Sequence, residues 1–328
     1  MKIESPCRIH IGLIDLNGSI GRVDGGVGIS LKEPSILIEG KESSEIEIET
    51  DEENPDIIER VKSSSKKILN YIGEEGIYLK IKRTIPQHTG LGSGTQLSLS
   101  VGKLISLIYG KNIDVLTLSK IMGRGGTSGI GVYAFESNIP GGFIVDGGHS
   151  FGPNKDKSEF KPSSSSKNVP PPPLIFKYPL DWKVVLVIPE GNNIYGNKEV
   201  DIFKKYCPIP LNETEKLSHL ILMKMIPSVI EKDIHSFGDV VNKFQFLGFK
   251  KIEVSLQRDF IRNFIKKLHD EGCYSGLSSF GPTVYSICEN NDDIKKVVDI
   301  TEDFFDNINV NKRIIITDIN NMGHRVFK

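Results

Sequence analysis

One glycine-rich segment limits the folds open to this chain more than any other feature. The sequence PQHTGLGSGTQ, residues 86–96, follows a strand-like apolar alternation at 77–81 and precedes helical apolar spacing at 95–109. Glycine permits positive φ and close backbone approach, and a helix N-terminus offers unpaired amides to an anion. The segment therefore predicts a phosphate-binding strand–loop–helix unit, with a tight turn that binds nothing as the alternative. Its candidate binding residues are Gly90, Gly92, Ser93, Gly94, Thr95 and Gln96.

The loop matches neither of two common phosphate-binding motifs. The pattern GxxxxGK[ST] is absent, and no lysine directly follows Gly94. The dinucleotide-binding pattern fails because GLGSGT lacks the GxGxxG spacing. Two further glycine-dense segments accompany it, GRGGTSGIGVYAFE at 123–136 and GLSSFGPTVYS at 276–286. Three such segments predict several backbone loops that converge on a large, multiply charged ligand.

Composition excludes several classes of function. A length of 328 residues favours two domains, and a hydrophobic content of 38% excludes a disordered chain. The 41 Lys and Arg nearly balance the 42 Asp and Glu, so no overall field attracts nucleic acid or an anionic membrane. The apolar run at 184–188 is far shorter than the ~20 residues that a membrane span needs. We therefore expect no nucleic-acid or membrane partner, and any site for an anionic ligand must be built from local positive charge.

The cysteines and the first residues predict a cytoplasmic protein. The opening sequence MKIESPCRIH lacks the apolar stretch of an export signal. The cysteines are too widely spaced for CxxC chemistry and too few for a disulfide framework, so we expect reduced thiols. They are Cys7, Cys207, Cys273 and Cys288. No HExxH cluster is present, although histidines or carboxylates elsewhere could bind a metal.

Apolar periodicity predicts strands and helices mixed in both halves of the chain, which is an α+β architecture. Residues 150–173 contain SSSS and PPPP with few apolar residues, a composition typical of an exposed, partly polyproline loop. A proline-rich ligand for a recognition domain is the alternative. The expected organisation is a first domain at 1–150, a Ser/Pro-rich loop at 151–175 and a second domain at 176–328.

The glycine loops resemble motifs of the GHMP kinase superfamily, whose second and third motifs are similar to PQHTGLGSG and GLSSFGPTVYS. Residues 5–31 (SPCRIHIGLIDLNGSIGRVDGGVGISL), GRGGTSGIG and GGFIVDGGHS at 141–150 resemble more closely the β-ribofuranosylaminobenzene 5'-phosphate synthase family. The resemblance covers most of the chain. It implies a GHMP-kinase-like fold with a ribosomal-S5-domain-2-like N-terminal domain and a ferredoxin-like C-terminal domain. It also implies a ligand in the cleft between them and a homodimer.

The resemblance implies a decarboxylating C-riboside synthase, a pentosyltransferase of methanopterin biosynthesis. In that reaction 4-hydroxybenzoate or 4-aminobenzoate condenses with 5-phosphoribosyl 1-pyrophosphate and releases carbon dioxide and pyrophosphate. The sequence leaves open which of the two acids is used. An ATP-dependent GHMP small-molecule kinase and a non-catalytic binding protein are the alternatives. Residues 94–96, Gly-Thr-Gln, replace the small residues that follow GLGS in the kinases, which disfavours ATP.

The implied chemistry needs a carboxylate near the anomeric carbon and cations on the departing diphosphate. Mg²⁺ on the diphosphate oxygens suits this reaction, because it binds through phosphates and one or two carboxylates. We expect Asp15 to stabilise ribosyl charge or hold the metal, and Arg22 to contact a phosphate or carboxylate, with Asp24 as a third catalytic residue. A charge in a surface turn is the alternative for each. Further substrate-binding candidates are Arg8, His10, Arg124, Asp146 and His149.

Overall fold

A computed structural model describes residues 1–51, 54–191 and 197–328. The first half contains β1 (Lys2–Asp15), β2 (Arg22–Lys41), β3 (Ile46–Thr50), α1 (Pro55–Ile72), β4 (Ile77–Arg83), α2 (Ser93–Ile108), α3 (Val115–Met122), α4 (Ile130–Phe135), β5 (Phe143–Asp146), β6 (His149–Ser150) and β7 (Leu174–Tyr178). The second half contains β8 (Lys183–Pro189), α5 (Asn197–Tyr206), α6 (Leu211–Leu220), α7 (Ile226–Glu231), α8 (Ile234–Phe244), α9 (Gly248–Ser255), α10 (Asp259–Asp270), β9 (Tyr274–Leu277), β10 (Val284–Cys288), α11 (Asn291–Ile308), β11 (Lys312–Asp318) and β12 (Arg325–Phe327). A π-helical turn at Ile221–Met225 joins α6 to α7.

Two sheets organise these elements and confirm the predicted α+β class. The first has the order β12-β1-β2-β4-β3, with β5 and β6 paired to β2 and β7 paired to β5. The second has the order β11-β8-β10-β9, and its neighbouring strands are antiparallel. Helices α5 to α10 separate β8 from β9, and α11 separates β10 from β11. This β-α-β-β-α-β topology is the expected ferredoxin-like arrangement.

Local sequence explains where the helix that borders the glycine loop begins and ends. Pro55 occupies the first turn of α1, and the Asn54 side chain accepts a hydrogen bond from the Asp56 amide. Gly73 ends the helix in the left-handed region, at φ 78°. The apolar face of α1 packs into the core. Its buried apolar residues are Ile57, Val61, Ile68 and Leu69.

The two halves share a core, and the strands cross the expected domain limits. Strand β7 and the last strand, β12, both belong to the first sheet although they lie beyond residue 173. One hydrophobic cluster contains side chains from both sheets, among them Ile9 and Val27 on the first and Leu186 and Tyr285 on the second. No single boundary along the chain therefore separates the two sheets, because all strands of the second sheet lie between β7 and β12 of the first.

Residues 151–173, which we call the strap, are largely exposed or half-buried, but a few of their side chains are buried against the rest of the molecule. The strap folds back over the first sheet, where the Lys157 side chain is buried and forms an ion pair with Asp24. The second glycine-dense segment lies beneath it. A Cβ at Gly126 would lie 1.9 Å from the Ser166 carbonyl oxygen. Gly126 therefore makes room for the strap, which composition alone does not show.

No helix in the described part of the chain is both long and apolar enough to cross a membrane.

Candidate functional site

The first and third glycine segments meet at strand β1. The Ser278 hydroxyl donates to the Gly90 carbonyl at 2.7 Å and accepts from the His10 amide at 3.0 Å. The Ser279 amide donates to the His10 carbonyl at 3.0 Å. Gly90 has φ +82°, and a Cβ there would lie 2.2 Å from the Ser278 carbonyl oxygen. The predicted convergence of backbones is thus found for these two loops, which join the two halves of the molecule.

Arg8 fixes the same loop from strand β1. Its guanidinium donates to the Gly90 carbonyl, and its amide donates to the Leu91 carbonyl at 3.1 Å. A Cβ at Gly92 would lie 3.1 Å from Arg8 Nε, so the guanidinium packs against the start of α2. Burial lowers the pKa of Arg8 to about 10, which leaves it cationic at neutral pH. The structure therefore places one positive charge beside the glycine loop.

His10 lies beside Arg8 on the strand and is only 5% exposed. Its Nε2 is 3.1 Å from the Ser128 hydroxyl, while its buried Nδ1 has no hydrogen-bond partner in the described part of the chain. Burial is the main cause that lowers its pKa well below 6.5, and the charges of Arg8 and Lys250 act in the same direction. The imidazole is therefore neutral and keeps one nitrogen for a further contact.

Lys250 and Glu253, on helix α9, are site residues that the sequence did not indicate. The Lys250 ammonium is fully buried and donates to the carbonyls of Leu277 at 3.1 Å and Ser279 at 3.2 Å. It also forms an ion pair with Glu253. Burial lowers the pKa of Lys250 and raises that of Glu253. Lys250 thus holds the third glycine segment in place from below.

A second acid, Glu199 on α5, interacts electrostatically with Glu253 and Arg8. Burial, with a smaller contribution from the charge of Glu253, raises the pKa of Glu199 to about 7 against the opposing charge of Arg8. In the sequence, Lys250 and Glu253 have the i,i+3 spacing of an ordinary surface ion pair. Only burial distinguishes the Lys250–Glu253 pair from such a surface pair, and burial depends on how the whole chain folds.

Asp15 and Arg22 lie at the tip of the β1–β2 hairpin. Asp15 Oδ1 accepts from the amides of Asn17 at 2.7 Å and Gly18 at 3.0 Å, which forms an Asx-type turn. Arg22 donates to the carbonyls of Gly147 and Gly148. Both side chains therefore shape the backbone here.

Asp24 is buried in a polar cluster beneath the strap. Its Oδ2 is 2.7 Å from His149 Nδ1 and 2.9 Å from Lys157 Nζ. The other imidazole nitrogen, Nε2, is 2.9 Å from the Pro170 carbonyl. Since all three side chains are at most 2% exposed, Asp24 and His149 are placed to anchor the strap to the first sheet.

Asp146 connects the hairpin region to His10. It accepts from the Gly129 amide at 2.8 Å, the Gly148 amide at 3.0 Å and the Ser128 hydroxyl at 3.3 Å. Burial raises its pKa to about 6, although both amides oppose the shift. Because Ser128 is also 3.1 Å from His10 Nε2, a polar chain runs from Asp146 through Ser128 to His10.

The residues of the GLGSGTQ loop divide into two sets. Gly92 is the N-cap of helix α2, at φ +80°, and provides no side-chain hydrogen bond, so the first amides of the helix are left for other partners. Ser93 and Thr95 lie in that first turn. Gln96 is fully buried, and its amide donates to the Gly131 carbonyl at 2.7 Å. Gln96 therefore joins α2 to α4 and faces the interior.

Arg124 reaches α2 from the other side. Its Nη2 donates to the Ser98 hydroxyl at 3.1 Å, one turn beyond Gly94. Burial, and to a smaller extent the charge of Arg60, lowers the pKa of Arg124 to about 10. A Cβ at Gly94 would lie 2.8 Å from Arg60 Nη1. The start of α2 is thus flanked by Arg8 on one side and by Arg60 and Arg124 on the other.

The structure therefore separates the sequence-predicted residues into two groups. Arg8 and His10 lie with the first and third glycine segments, close to the start of α2. Asp15, Arg22 and Asp24 lie at the far end of the hairpin, about 20 Å from Arg8 at the usual rise per strand residue. The polar chain through Asp146 lies between them.

Comparison with known proteins identifies the fold class. The chain matches the model of the GHMP kinases N terminal domain over residues 59–138 and that of the GHMP kinases C terminal over residues 225–307. Phosphomevalonate kinase from Streptococcus pneumoniae aligns with TM-score 0.69 and 10% identity over 97% of this chain and 99% of that chain. Homoserine kinase from Cytophaga hutchinsonii aligns with TM-score 0.65 and 15% identity over 100% and 97%. The expected GHMP kinase fold is confirmed.

Sequence relatives narrow this class to one family. The curated beta-ribofuranosylphenol 5'-phosphate synthase of Methanocaldococcus jannaschii is 56% identical over 100% of both chains. The protein of the same name from Archaeoglobus fulgidus is 43% identical over 98% of each chain. The chain belongs to the beta-ribofuranosylphenol 5'-phosphate synthase family. The relatives' name contains phenol where the resemblance named aminobenzene, so their named product bears a hydroxyl group.

Proposed function

We propose that this protein joins 4-hydroxybenzoate to 5-phosphoribosyl 1-pyrophosphate and forms β-ribofuranosylphenol 5'-phosphate, carbon dioxide and pyrophosphate. The observation that carries the proposal is the 56% identity along the whole chain with a synthase named for that product. A phenol that bears a ribosyl phosphate follows from a hydroxybenzoate once its carboxyl group is lost. This is decarboxylating pentosyl transfer, a step in methanopterin biosynthesis.

The bonds balance without an added oxidant or reductant. The C1–O bond of the donor breaks, and its electron pair leaves with pyrophosphate. The ring carbon that bears the carboxylate forms a bond to C1 of the ribose. The bond from that ring carbon to the carboxylate then breaks, and its electron pair restores the aromatic ring as carbon dioxide departs.

The residues around the glycine loops support this chemistry. Arg8 and the first amides of α2 provide positive potential for a phosphorylated donor. We assign His10 to substrate contact, because its neutral imidazole keeps a buried, unpartnered nitrogen among the described residues. Asp15 and Arg22 lie about 20 Å from Arg8 at the usual rise per strand residue, so they maintain the hairpin turn rather than contact the ribose. Asp24 and His149 act by fixing the strap.

Magnesium would enter with the donor. An ion held mainly by diphosphate oxygens needs one or two protein carboxylates, and Asp56 and Glu59 lie beside Arg60 near the start of α2. The ion would neutralise the departing diphosphate. The described part of the chain contains no cluster of three or more His, Cys, Asp or Glu side chains that could hold a metal. Asp56 and Glu59 therefore suit an ion shared with the substrate.

A cytoplasmic location and a homodimer belong to the same proposal. Cys7, Cys207, Cys273 and Cys288 are all free thiols, which suits a reducing compartment. Sedimentation of the purified protein tests the dimer directly.

The proposal is tested by release of labelled carbon dioxide from carboxyl-labelled 4-hydroxybenzoate in the presence of the donor and Mg²⁺. We expect donor-dependent release, with 4-aminobenzoate as the matched comparison and a lower rate for it. ATP consumption with a set of small alcohols is measured in parallel. If no labelled carbon dioxide is released in the first assay and ATP is consumed in the second, the protein would be assigned to the kinases instead.

A further inference from the structure

A second group of cations surrounds the start of α2 on the side away from Arg8. Four basic side chains, one of them from the strap, line an open pocket of about 460 Å³ between α1, α2 and the segment after α3. We call it the basic pocket. Its cations are Arg60, Lys67, Arg124 and Lys167. Of these four, the sequence indicated only Arg124, because α1 and the strap carry no motif that marks them.

The basic pocket holds more positive charge than its own acids neutralise. Asp56 and Glu59 are its only acidic lining residues among those described, against four cations. Burial lowers the pKa of Arg60 and of Lys67, and Arg124 and Lys167 lower that of Lys67 further. Side chains that repel one another in this way remain together at a cost, which an anion between them would offset.

Both arginines of the basic pocket also keep unused donors. Nε of Arg60 and Nε of Arg124 are buried and have no hydrogen-bond partner in the described part of the chain. An unpaired buried donor on a charged group is expensive, and a phosphate oxygen is the acceptor that a guanidinium binds best. The helix start next to them has no side-chain cap. The four cations, the two unpaired guanidinium donors and the uncapped helix start thus all favour an anion at the start of α2.

The lining also limits what else the ligand contains. Apart from Met122, the described lining is charged, hydroxyl-bearing or glycine, with serines at 63, 64 and 98. A nucleobase prefers an apolar or aromatic surface, and Met122 is the one apolar side chain larger than glycine in the described lining, which contains no aromatic residue. Two phosphoryl groups, in contrast, match two separate arginines. The Cβ positions of Gly92 and Gly94 face Arg8 and Arg60 respectively, so an anion here would lie directly over the first turn of α2.

We propose that the basic pocket binds the diphosphate of the ribosyl donor and retains pyrophosphate after the C1–O bond breaks. This inference rests on the proposed function for the identity of the donor. With the diphosphate between Arg60 and Arg124, the ribose extends across α2 toward Arg8 and Gly90. The four cations then stabilise the charge that grows on the leaving group, and Lys167 makes this dependent on the position of the strap.

The test is calorimetric binding of inorganic pyrophosphate to the full-length protein in Mg²⁺, with orthophosphate and ATP as comparison ligands. We expect pyrophosphate to bind at least about tenfold more tightly than either. Arg60→Gln and Arg124→Gln should each weaken pyrophosphate binding at least about tenfold, and Lys167→Gln about threefold. Lys66→Gln, on the exposed face of the same helix, is the matched control and should change binding less than about twofold. Circular dichroism checks that each variant is folded.

Wild-type pyrophosphate affinity in folded Arg60→Gln and Arg124→Gln would overturn the inference. Orthophosphate that binds as tightly as pyrophosphate would overturn the diphosphate assignment, and ATP that binds more tightly would indicate a nucleotide site. The carbon dioxide assay on the same preparations separates this from the function. Loss of binding in the variants with no product from the wild type would reject the synthase and keep the anion site. Product formation by the wild type together with unaltered pyrophosphate binding in the variants would support the synthase and reject the anion site.

Discussion

At the scale of single residues, the carboxylates of this protein are distinguished by their surroundings. Asp15 uses one oxygen to build a turn, Asp24 is enclosed by the Lys157 ammonium and the His149 imidazole, and Asp146 is buried against backbone amides. The sequence presents all three simply as acids near glycines. Their different surroundings give each a separate experimental signature.

Asp15→Asn separates the charge of this residue from its turn-forming role. An asparagine oxygen still accepts from the amides of Asn17 and Gly18, so the stability of the variant should stay close to that of the wild type. Because Asp15 lies about 20 Å from Arg8, product formation should stay within about twofold of the wild-type rate. Asp15→Ala should keep this activity and lose about 1 kcal/mol of stability. A hundredfold loss of turnover in a folded Asp15→Asn would show that its charge acts in the reaction.

Asp146 predicts a specific pH dependence of stability. Burial raises its pKa from 3.8 to about 6. Between these values the folded state holds a proton that the unfolded state has lost, so the free energy of unfolding falls as pH rises. Asp146→Asn should remove up to about 3 kcal/mol of that decline between about pH 4 and 7. Denaturant titrations of both proteins across this range measure it, and parallel curves would show that Asp146 does not titrate in this way.

The sequence indicated several residues of the candidate site, but it did not indicate which of them contact each other. Arg8 and His10 were named as substrate-binding candidates in the N-terminal motif, and the structure adds their contacts with the first and third glycine segments. Lys250 was missed because its burial depends on α9 packing under a loop 27 residues further along the chain. The Asp24–Lys157 pair was missed for the same reason, since 133 residues separate its members.

At the scale of elements, contact between loops determines the shape of the site. The first glycine segment is held by Arg8, by Ser278 and, through Ser278, by the loop that Lys250 supports. Periodicity predicted strand β4 and helix α2 close to their observed bounds. It did not predict that Lys157 and Ser166 of the strap would be buried, because neither side chain is apolar.

Gly90→Ala tests the loop contact. Alanine at φ +82° costs about 1–2 kcal/mol, and its Cβ would also lie 2.2 Å from the Ser278 carbonyl oxygen, so one loop must move. We expect at least about a tenfold loss of product formation together with a lower melting temperature.

Gly110→Ala is the matched control for this change. Gly110 has φ +68°, and beyond its chain neighbours no atom lies within 4 Å of the place that an alanine methyl would take. Only the backbone cost of about 1 kcal/mol therefore applies. Its product formation should stay at the wild-type level. Equal activity in the two variants would show that the approach of the two loops is unimportant for the reaction.

At the scale of the whole molecule, the two sheets are not independent units. They share one hydrophobic cluster, and the chain returns to the first sheet after it has completed the second. The general two-domain class was predictable from the resemblance and from mixed periodicity. The return of β12 to the first sheet was not, because a three-residue strand carries almost no pattern.

The hydrogen bonds that join Gly90, Ser278 and His10 have a kinetic consequence. They connect the two halves of the molecule at the floor of the site, so the halves cannot swing apart around a ligand without breaking these bonds. We therefore expect a ligand that binds beside these loops to meet polar groups that are already oriented. Such pre-organisation lowers the entropy cost of association.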